Sequence, residues 1–352
     1  MAVVKMGSAA TPARDRTIRR ADELVGRGLV AGASAAALET VVARYALAIT
    51  PDVADLINPN DPDDPIARQF VPREEELQAA PAERADPIGD DKFAPVHGIV
   101  HRYPDRVLFK LVHVCAVYCR FCFRREMVGP GKASAMPEAT YQRALDYVRS
   151  HPEVWEVILT GGDPLALSPR RLAAILARLE AIPHVEIVRI HTRVPVVDPK
   201  RINAALLAAL KIEKPVYVVI HCNHADEITA GARRGFARLA DAGIPLLSQS
   251  VLLKGVNDDA GTLETLFRAL VRNRVKPYYL HHAYLARGTS HFRTSIAEGQ
   301  AQMEALGGRV SGLCQPTYVL DIPGGHGKVP VGPSYFEDGR VTDPHGCVHV
   351  YP

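Results

Sequence analysis

The sequence predicts an α/β fold built from successive β/α units. Two observations carry that expectation. Six short runs rich in β-forming residues follow one another: Val107–Val114, Val154–Thr160, Val185–His191, Val216–Cys222, Pro245–Leu252 and Lys276–His282. Helical patterns fill the intervals, at Tyr141–Val148, Arg170–Leu179, Ala204–Leu210, Ile228–Ala240 and Thr262–Val271, and Ser295–Leu306 follows the last run. Strand and helix alternating at this spacing mark βαβ units with a parallel sheet. Six repeats fit a partial (β/α)6 TIM-like barrel better than a full eight-stranded one, although a doubly wound open sheet has the same periodicity. Both place ligands at the C-terminal ends of their strands.

Three regions follow from this rhythm: an N-terminal helical and extended part over 1–95, the partial barrel over 96–310, and a C-terminal segment over 311–352. In the first, Leu24, Leu29, Val30, Leu38, Val41, Val42 and Leu47 recur at helical intervals, so residues 18–48 read as helix. From Pro51 to Pro87 seven prolines and many acids intervene. Proline lacks an amide donor and restricts its predecessor, so this stretch reads as extended connection, with one short helix over Glu74–Ala80. The last forty residues read as irregular, rich in Gly, Pro and His.

Composition excludes several classes. With 352 residues, 47% hydrophobic and 23% charged, the chain is too apolar for disorder and too long for a disulfide-stapled miniprotein. A net charge of +3 implies no polyelectrolyte partner, so no nucleic acid is expected. No run of eighteen apolar residues exists, so no membrane span is expected. The first twenty residues carry Lys5, Arg14, Arg16, Arg19 and Arg20 without the apolar core of a secretion signal, and read as a basic tail. A cytoplasmic location is the expectation.

Six cysteines are few, and three fall within eight residues: Cys115-Ala-Val-Tyr-Cys119-Arg-Phe-Cys122, just after the first barrel strand. A disulfide framework would spread them; clustering points to metal ligation in a reduced compartment. Thiolates suit iron–sulfur clusters and zinc. Three in one loop can hold three corners of a four-iron cluster and leave the fourth iron open. A zinc site closed by His113 or a distant residue is the alternative, but zinc knuckles generally use paired C-x2-C spacings.

This C-x3-C-x2-C motif resembles that of the radical S-adenosylmethionine superfamily. The resemblance implies a [4Fe-4S] cluster whose open iron binds S-adenosylmethionine, an external electron donor, and a 5′-deoxyadenosyl radical. Thr160-Gly161-Gly162-Asp163-Pro164 ends the second strand, where the superfamily has a glycine-rich segment near the methionine amino group. There Gly161 and Gly162 would let backbone approach the ligand and Asp163 would pair with an ammonium.

A second motif, Pro323-Gly-Gly-His-Gly-Lys328, fails the phosphate-loop spacing: residue 322 is Ile and residue 329 is Val. Together with the cysteines it resembles the lysine 2,3-aminomutase family, in which such a lysine forms a Schiff base with pyridoxal 5′-phosphate. Further matches are Arg102-Tyr103-Pro104-Asp105-Arg106, Gln249-Ser-Val-Leu-Leu-Lys-Gly-Val-Asn257, Pro277-Tyr278-Tyr279-Leu280 and His291-Phe292-Arg293-Thr294. By that resemblance Lys328 is the catalytic lysine, Tyr103 and Arg106 hold the cofactor phosphate, Gln249 lies at the cofactor, Arg124 grips the substrate carboxylate, and Asp321 binds the distal ammonium of lysine. The implied activity is an isomerase's 1,2-amino shift on a small amino acid, L-lysine to L-β-lysine. The resemblance is compatible with a homo-oligomer.

The chain departs from the family at two places. Lysine-specific members carry a second aspartate seven residues before the His-Phe-Arg-Thr match; here that residue is Tyr284, which has no charge. Losing one carboxylate partner of a desolvated ammonium costs several kcal/mol. A mutase for another amino acid, or a catalytically silent iron–sulfur protein, is therefore the alternative. Some members also close a zinc site with a cysteine where Asp259 stands here. The tail has only Cys347, between His345 and His349, so no family-type zinc site is expected.

Overall fold

The computed structural model describes residues 15–31, 35–129 and 136–351; the basic tail through Arg14 lies outside the described residues. Its centre is one nine-stranded sheet with its strands in chain order: β1 (Ile99–Tyr103), β2 (Arg106–Val112), β3 (Glu156–Gly161), β4 (Ile187–Thr192), β5 (Val216–His221), β6 (Leu246–Val251), β7 (Lys276–His281), β8 (Thr317–Asp321) and β9 (Lys328–Pro330). Strands β2 to β8 are parallel, while β1 and β9 close the two edges antiparallel.

Parallel neighbours need a crossover, and helices supply it. These are α5 (Glu138–Arg149), α6 (Pro169–Glu180), α7 and α8 (Val194–Val197 and Ala204–Leu210), α9 (Ala230–Asp241), α10 (Ala260–Arg272) and α11 (Ile296–Leu306). Their starts are written locally. Ser168, Asn203, Thr229, Asp259 and Ser295 each accept a backbone N–H of the first turn. Asp259 is thus an N-cap here. Leu263, Leu266, Phe267 and Leu270 of α10 turn inward on the helical period and are buried.

The six expected strands are β2 to β7, with ends shifted by two residues or fewer. Three corrections concern the rest. The helix over 18–48 is two helices, α1 (Ala21–Gly26) and α2 (Ala35–Arg44). Gly28, at φ +70°, ends the first with a 6→1 bond from Leu29 N to Leu24 O. The proline-rich stretch is not merely extended. Pro51 and Pro65 start short helices, α3 (Pro51–Ala54) and α4 (Pro65–Phe70), behind Thr50 and Asp64 caps, because the first helical turn needs no donor from proline. Glu74–Leu77 forms a 3-10 turn. The C-terminal segment is not irregular. Its β8 pairs with β7, β9 folds back on β8, and Phe336–Glu337, Arg340–Thr342 and Val348–Val350 form a small antiparallel sheet, β10–β12. Cys347 and His349 lie on that exposed edge, where His349 Nε2 sits 2.8 Å from Asp343 Oδ2.

One apolar core runs from Ile18 through the helix–sheet layer to Tyr318. The N-terminal region is therefore packed into the barrel, and it grips the cysteine loop. Tyr118 N donates to Ala48 O (3.1 Å), and Arg120 Nη1 to Ala46 O (2.8 Å). Glu76, 1% exposed, takes Arg120 Nε at 2.9 Å and Nη2 at 2.6 Å, and also pairs with Arg125. No helix of the described residues is long and apolar enough to cross a membrane.

Candidate active site

Alternate residues of a strand face one side of a sheet, and here the concave side is unusually polar. Arg189 and His191 on β4, His221 on β5, Gln249 on β6, and Tyr279 and His281 on β7 all point the same way, into one cavity of about 800 Å³. A filled barrel would carry branched apolar side chains at such positions. Contributions from β2 to β8 to a single cavity show that the sheet curls around it. The residues that the sequence assigns to cluster, cofactor and substrate all line this space: Tyr103, Arg106, Cys115, Cys119, Cys122, Arg124, Gly161, Gly162, Asp163, Gln249, Tyr284, Asp321 and Lys328.

The cysteine wall follows β2 directly. All three thiols are free, and burial pushes each of them up, Cys122 to about 11. They are close enough to raise one another electrostatically. Three soft thiolates in one loop, opening to a cavity, are a donor set that suits a multi-iron cluster.

The glycines serve the chain itself. Gly161 lies at φ +108°, and a Cβ there would sit 2.4 Å from Val112 O; at Gly162 it would sit 2.3 Å from Val114 O. Bare backbone lets the end of β3 lie against the strand that launches the cysteine loop, and Gly162 N donates to Val112 O at 2.5 Å. Both glycines thus approach β2 closely while also lining the cavity. Asp163 is similarly committed: it accepts Thr192 Oγ1 (2.7 Å), Leu165 N (3.0 Å) and Arg193 N (2.8 Å). An incoming ammonium would compete with those donors.

Lys328 lines the same cavity. It opens β9, directly opposite Asp321 in the β8–β9 hairpin, and its Nζ lies 2.8 Å from Asp321 Oδ2. Its backbone N donates to Tyr103 Oη at 2.8 Å, while the Arg106 guanidinium stacks on the Tyr103 ring at 3.9 Å. Burial lowers the Lys328 pKa, opposed by Asp321 and assisted by Arg189 and Arg102. Burial works against the Asp321 carboxylate, but His281 and Lys328 hold its pKa well below the usual range. His281 joins the group: its Nδ1 is 3.2 Å from Lys328 Nζ, 2.9 Å from Tyr284 Oη and 3.4 Å from Asp321 Oδ2. Burial and then the Lys328 charge bring His281 down to about 4, so it is neutral at pH 7.

Arg124 extends toward the centre. Its Nη1 donates to Thr160 Oγ1 and its Nη2 to Asp90 Oδ2, both at 3.0 Å, which leaves Nε as a buried donor without a partner. Tyr284 stacks on Phe123 at 4.4 Å, beside Arg124. Sequence reasoning missed His281, His191, His221 and Arg193. The signal was present: polar residues at alternate positions near the C-terminal ends of strands that otherwise read as apolar.

Comparison with known proteins agrees with this geometry. The family model described as Radical SAM superfamily matches residues 109–266, and that described as Lysine-2,3-aminomutase matches residues 303–338. The chain is 48% identical over 289 residues to the L-lysine 2,3-aminomutase of Clostridium subterminale, covering 82% of this chain and 69% of that protein. It is 46% identical over 289 residues to the L-lysine 2,3-aminomutase of Acetoanaerobium sticklandii (82% and 70% covered). It is 40% identical over 299 residues to the glutamate 2,3-aminomutase of Clostridioides difficile (85% and 70% covered). A curled parallel sheet around one cavity lined by both the cysteine triplet and a half-buried lysine, together with these relatives, places the chain in the lysine 2,3-aminomutase family of radical S-adenosylmethionine enzymes.

Proposed function

We propose that this protein is a 2,3-aminomutase that interconverts L-lysine and L-β-lysine. The observation that carries the reading is that Cys115, Cys119 and Cys122 open into the same cavity as Lys328. When bound, the [4Fe-4S] cluster with S-adenosylmethionine supplies a 5′-deoxyadenosyl radical, and pyridoxal 5′-phosphate carries the migrating nitrogen.

The remaining work belongs to this chain's residues. The three cysteines hold the metal, and the Thr160–Pro164 turn, with Gly161, Gly162 and Asp163, shapes the wall beside them. Lys328 would hold the pyridoxal group, a role that favours an amine that loses its proton readily. Burial favours that. Tyr103 fixes the Lys328 backbone and keeps its own O–H for a phosphate, beside Arg106. Arg124, at the cavity wall, would grip the substrate carboxylate. Gln249, which lines the cavity from β6, would lie at the cofactor. Asp321, with neutral His281 and Tyr284, forms the end that reads the substrate's side chain. Orientation in a curled, half-closed interior restrains side reactions.

Incubation without oxygen, with both cofactors, a reductant and labelled lysine, should give β-lysine. No β-amino acid from any member of an amino-acid panel would end the mutase reading. Tyr284 favours a second reading, in which another amino acid is the substrate. A relative named glutamate 2,3-aminomutase shows that the family includes one, but Asp321 opposes an acidic side chain here. The panel decides between them by kcat/KM. The reading also takes in a cytoplasmic location, which suits six free cysteines, and self-association, which light scattering measures.

A further inference from the structure

We propose that Arg193, opposed by Glu227, sets the reduction potential of the iron–sulfur cluster. Arg193 directly follows β4 and is 5% exposed. Its Nη1 donates to Cys119 Sγ at 2.8 Å. Its Nη2 donates to Glu227 Oε2 at 2.7 Å and to Gln69 Oε1 at 2.6 Å. The position is held from every side. The rings of Phe70 and Phe121 lie 4.5 and 5.4 Å from the guanidinium carbon, and the Arg193 backbone N–H is tied to Asp163.

Glu227 is equally fixed. It is 2% exposed, and its Oε1 accepts Asn223 N at 2.8 Å and His224 N at 2.9 Å. Gln69 closes the network onto the cysteine loop, because its backbone O accepts Arg120 N at 2.8 Å. A buried cation therefore touches one cluster sulfur, and a buried anion stands directly behind it.

Such an arrangement acts on electron affinity. One-electron reduction by the external donor adds a negative charge to a centre already carrying three thiolates. A hydrogen bond and a positive charge at a ligating sulfur stabilise that added charge and raise the potential. Glu227 does the reverse, and burial leaves both effects weakly screened. No bond to Arg193 forms or breaks, and its guanidinium stays charged throughout. Arg193 is thus a positioning residue acting through Cys119. The inference rests on the cluster assignment made above and is independent of which amino acid is the substrate.

The test is a redox titration of the reconstituted holoenzyme without oxygen or amino acid, followed by electron paramagnetic resonance, with iron and sulfide measured for each protein. Arg193→Gln should lower the potential, cutting the reduced-to-oxidised ratio at a fixed poise at least tenfold, or about 59 mV for one electron. Glu227→Gln should move it the opposite way, and Arg193→Lys should recover most of the loss. Shifts of opposite sign are what a merely structural role would not produce. Unmoved potentials at full cluster content, or shifts of the same sign, overturn the proposal. If Arg193→Gln cannot hold a cluster, Glu227→Gln decides alone, and it must shift upward. Cluster loss in all three variants also overturns it, since the residues would then only hold the loop. A wild-type protein without a cluster would instead refute the cofactor assignment.

Discussion

Lys328 and Asp321 face each other across the β8–β9 hairpin, and the ammonium of one lies 2.8 Å from the carboxylate of the other. The group that the sequence assigns to a substrate's distal cation is thus engaged by the chain's own lysine. One carboxylate serves a cation that comes and goes.

Removing that carboxylate should have two effects. Asp321→Asn takes away the charge that raises the Lys328 pKa, so capture of pyridoxal phosphate should extend to lower pH. The visible absorbance of the lysine-linked cofactor against pH measures this. The KM for lysine should rise in the same variant, by tenfold or more if a charged hydrogen bond of about 1.5–3 kcal/mol is lost. Lys328→Ala should abolish the linked absorbance altogether.

Tyr284 separates the two substrate readings. Its hydroxyl lies within hydrogen-bond distance of His281, and its ring stacks on Phe123. Tyr284→Asp places a second carboxylate beside Asp321. It should raise kcat/KM for lysine about tenfold if lysine is not the native substrate. No gain means that the tyrosine already serves lysine.

Gly161→Ala and Gly162→Ala should each cost at least ~2 kcal/mol in denaturant unfolding, because the new Cβ meets a backbone carbonyl that cannot swing away. Ordinary stability in either variant would show that the turn can shift off β2.

Glu76→Gln should cost about 3–5 kcal/mol, since it leaves Arg120 and Arg125 buried without their charge partner. Calorimetry checks the loss. Iron content should fall with it, because both arginines flank the cysteines.

The buried histidines predict an acid-sensitive fold. Burial depresses His191, His221 and His281, the last to about 4. An unfolded histidine titrates near ~6.5. Between those values the unfolded chain binds more protons, so stability should fall as pH drops from about 6.5 toward about 4. His281→Asn should flatten that slope; an unchanged slope would remove His281 from the account.

The sequence by itself determined the β/α rhythm, the six central strands, the cysteine triplet and Lys328, because each is written in local spacing. It misread what distance decides. Strand β8 exists because β7 offers it an edge, and Pro51 and Pro65 start helices because their caps hold them against the core. The sequence also did not show that Asp163 accepts from Thr192 and Arg193, or that the two glycines pack against β2. Only the tertiary structure brought Glu76 to Arg120, Arg193 to Cys119, and His281 to Lys328. Those pairs are 44, 74 and 47 residues apart in the chain, and no local pattern encodes a meeting that curling of the sheet creates.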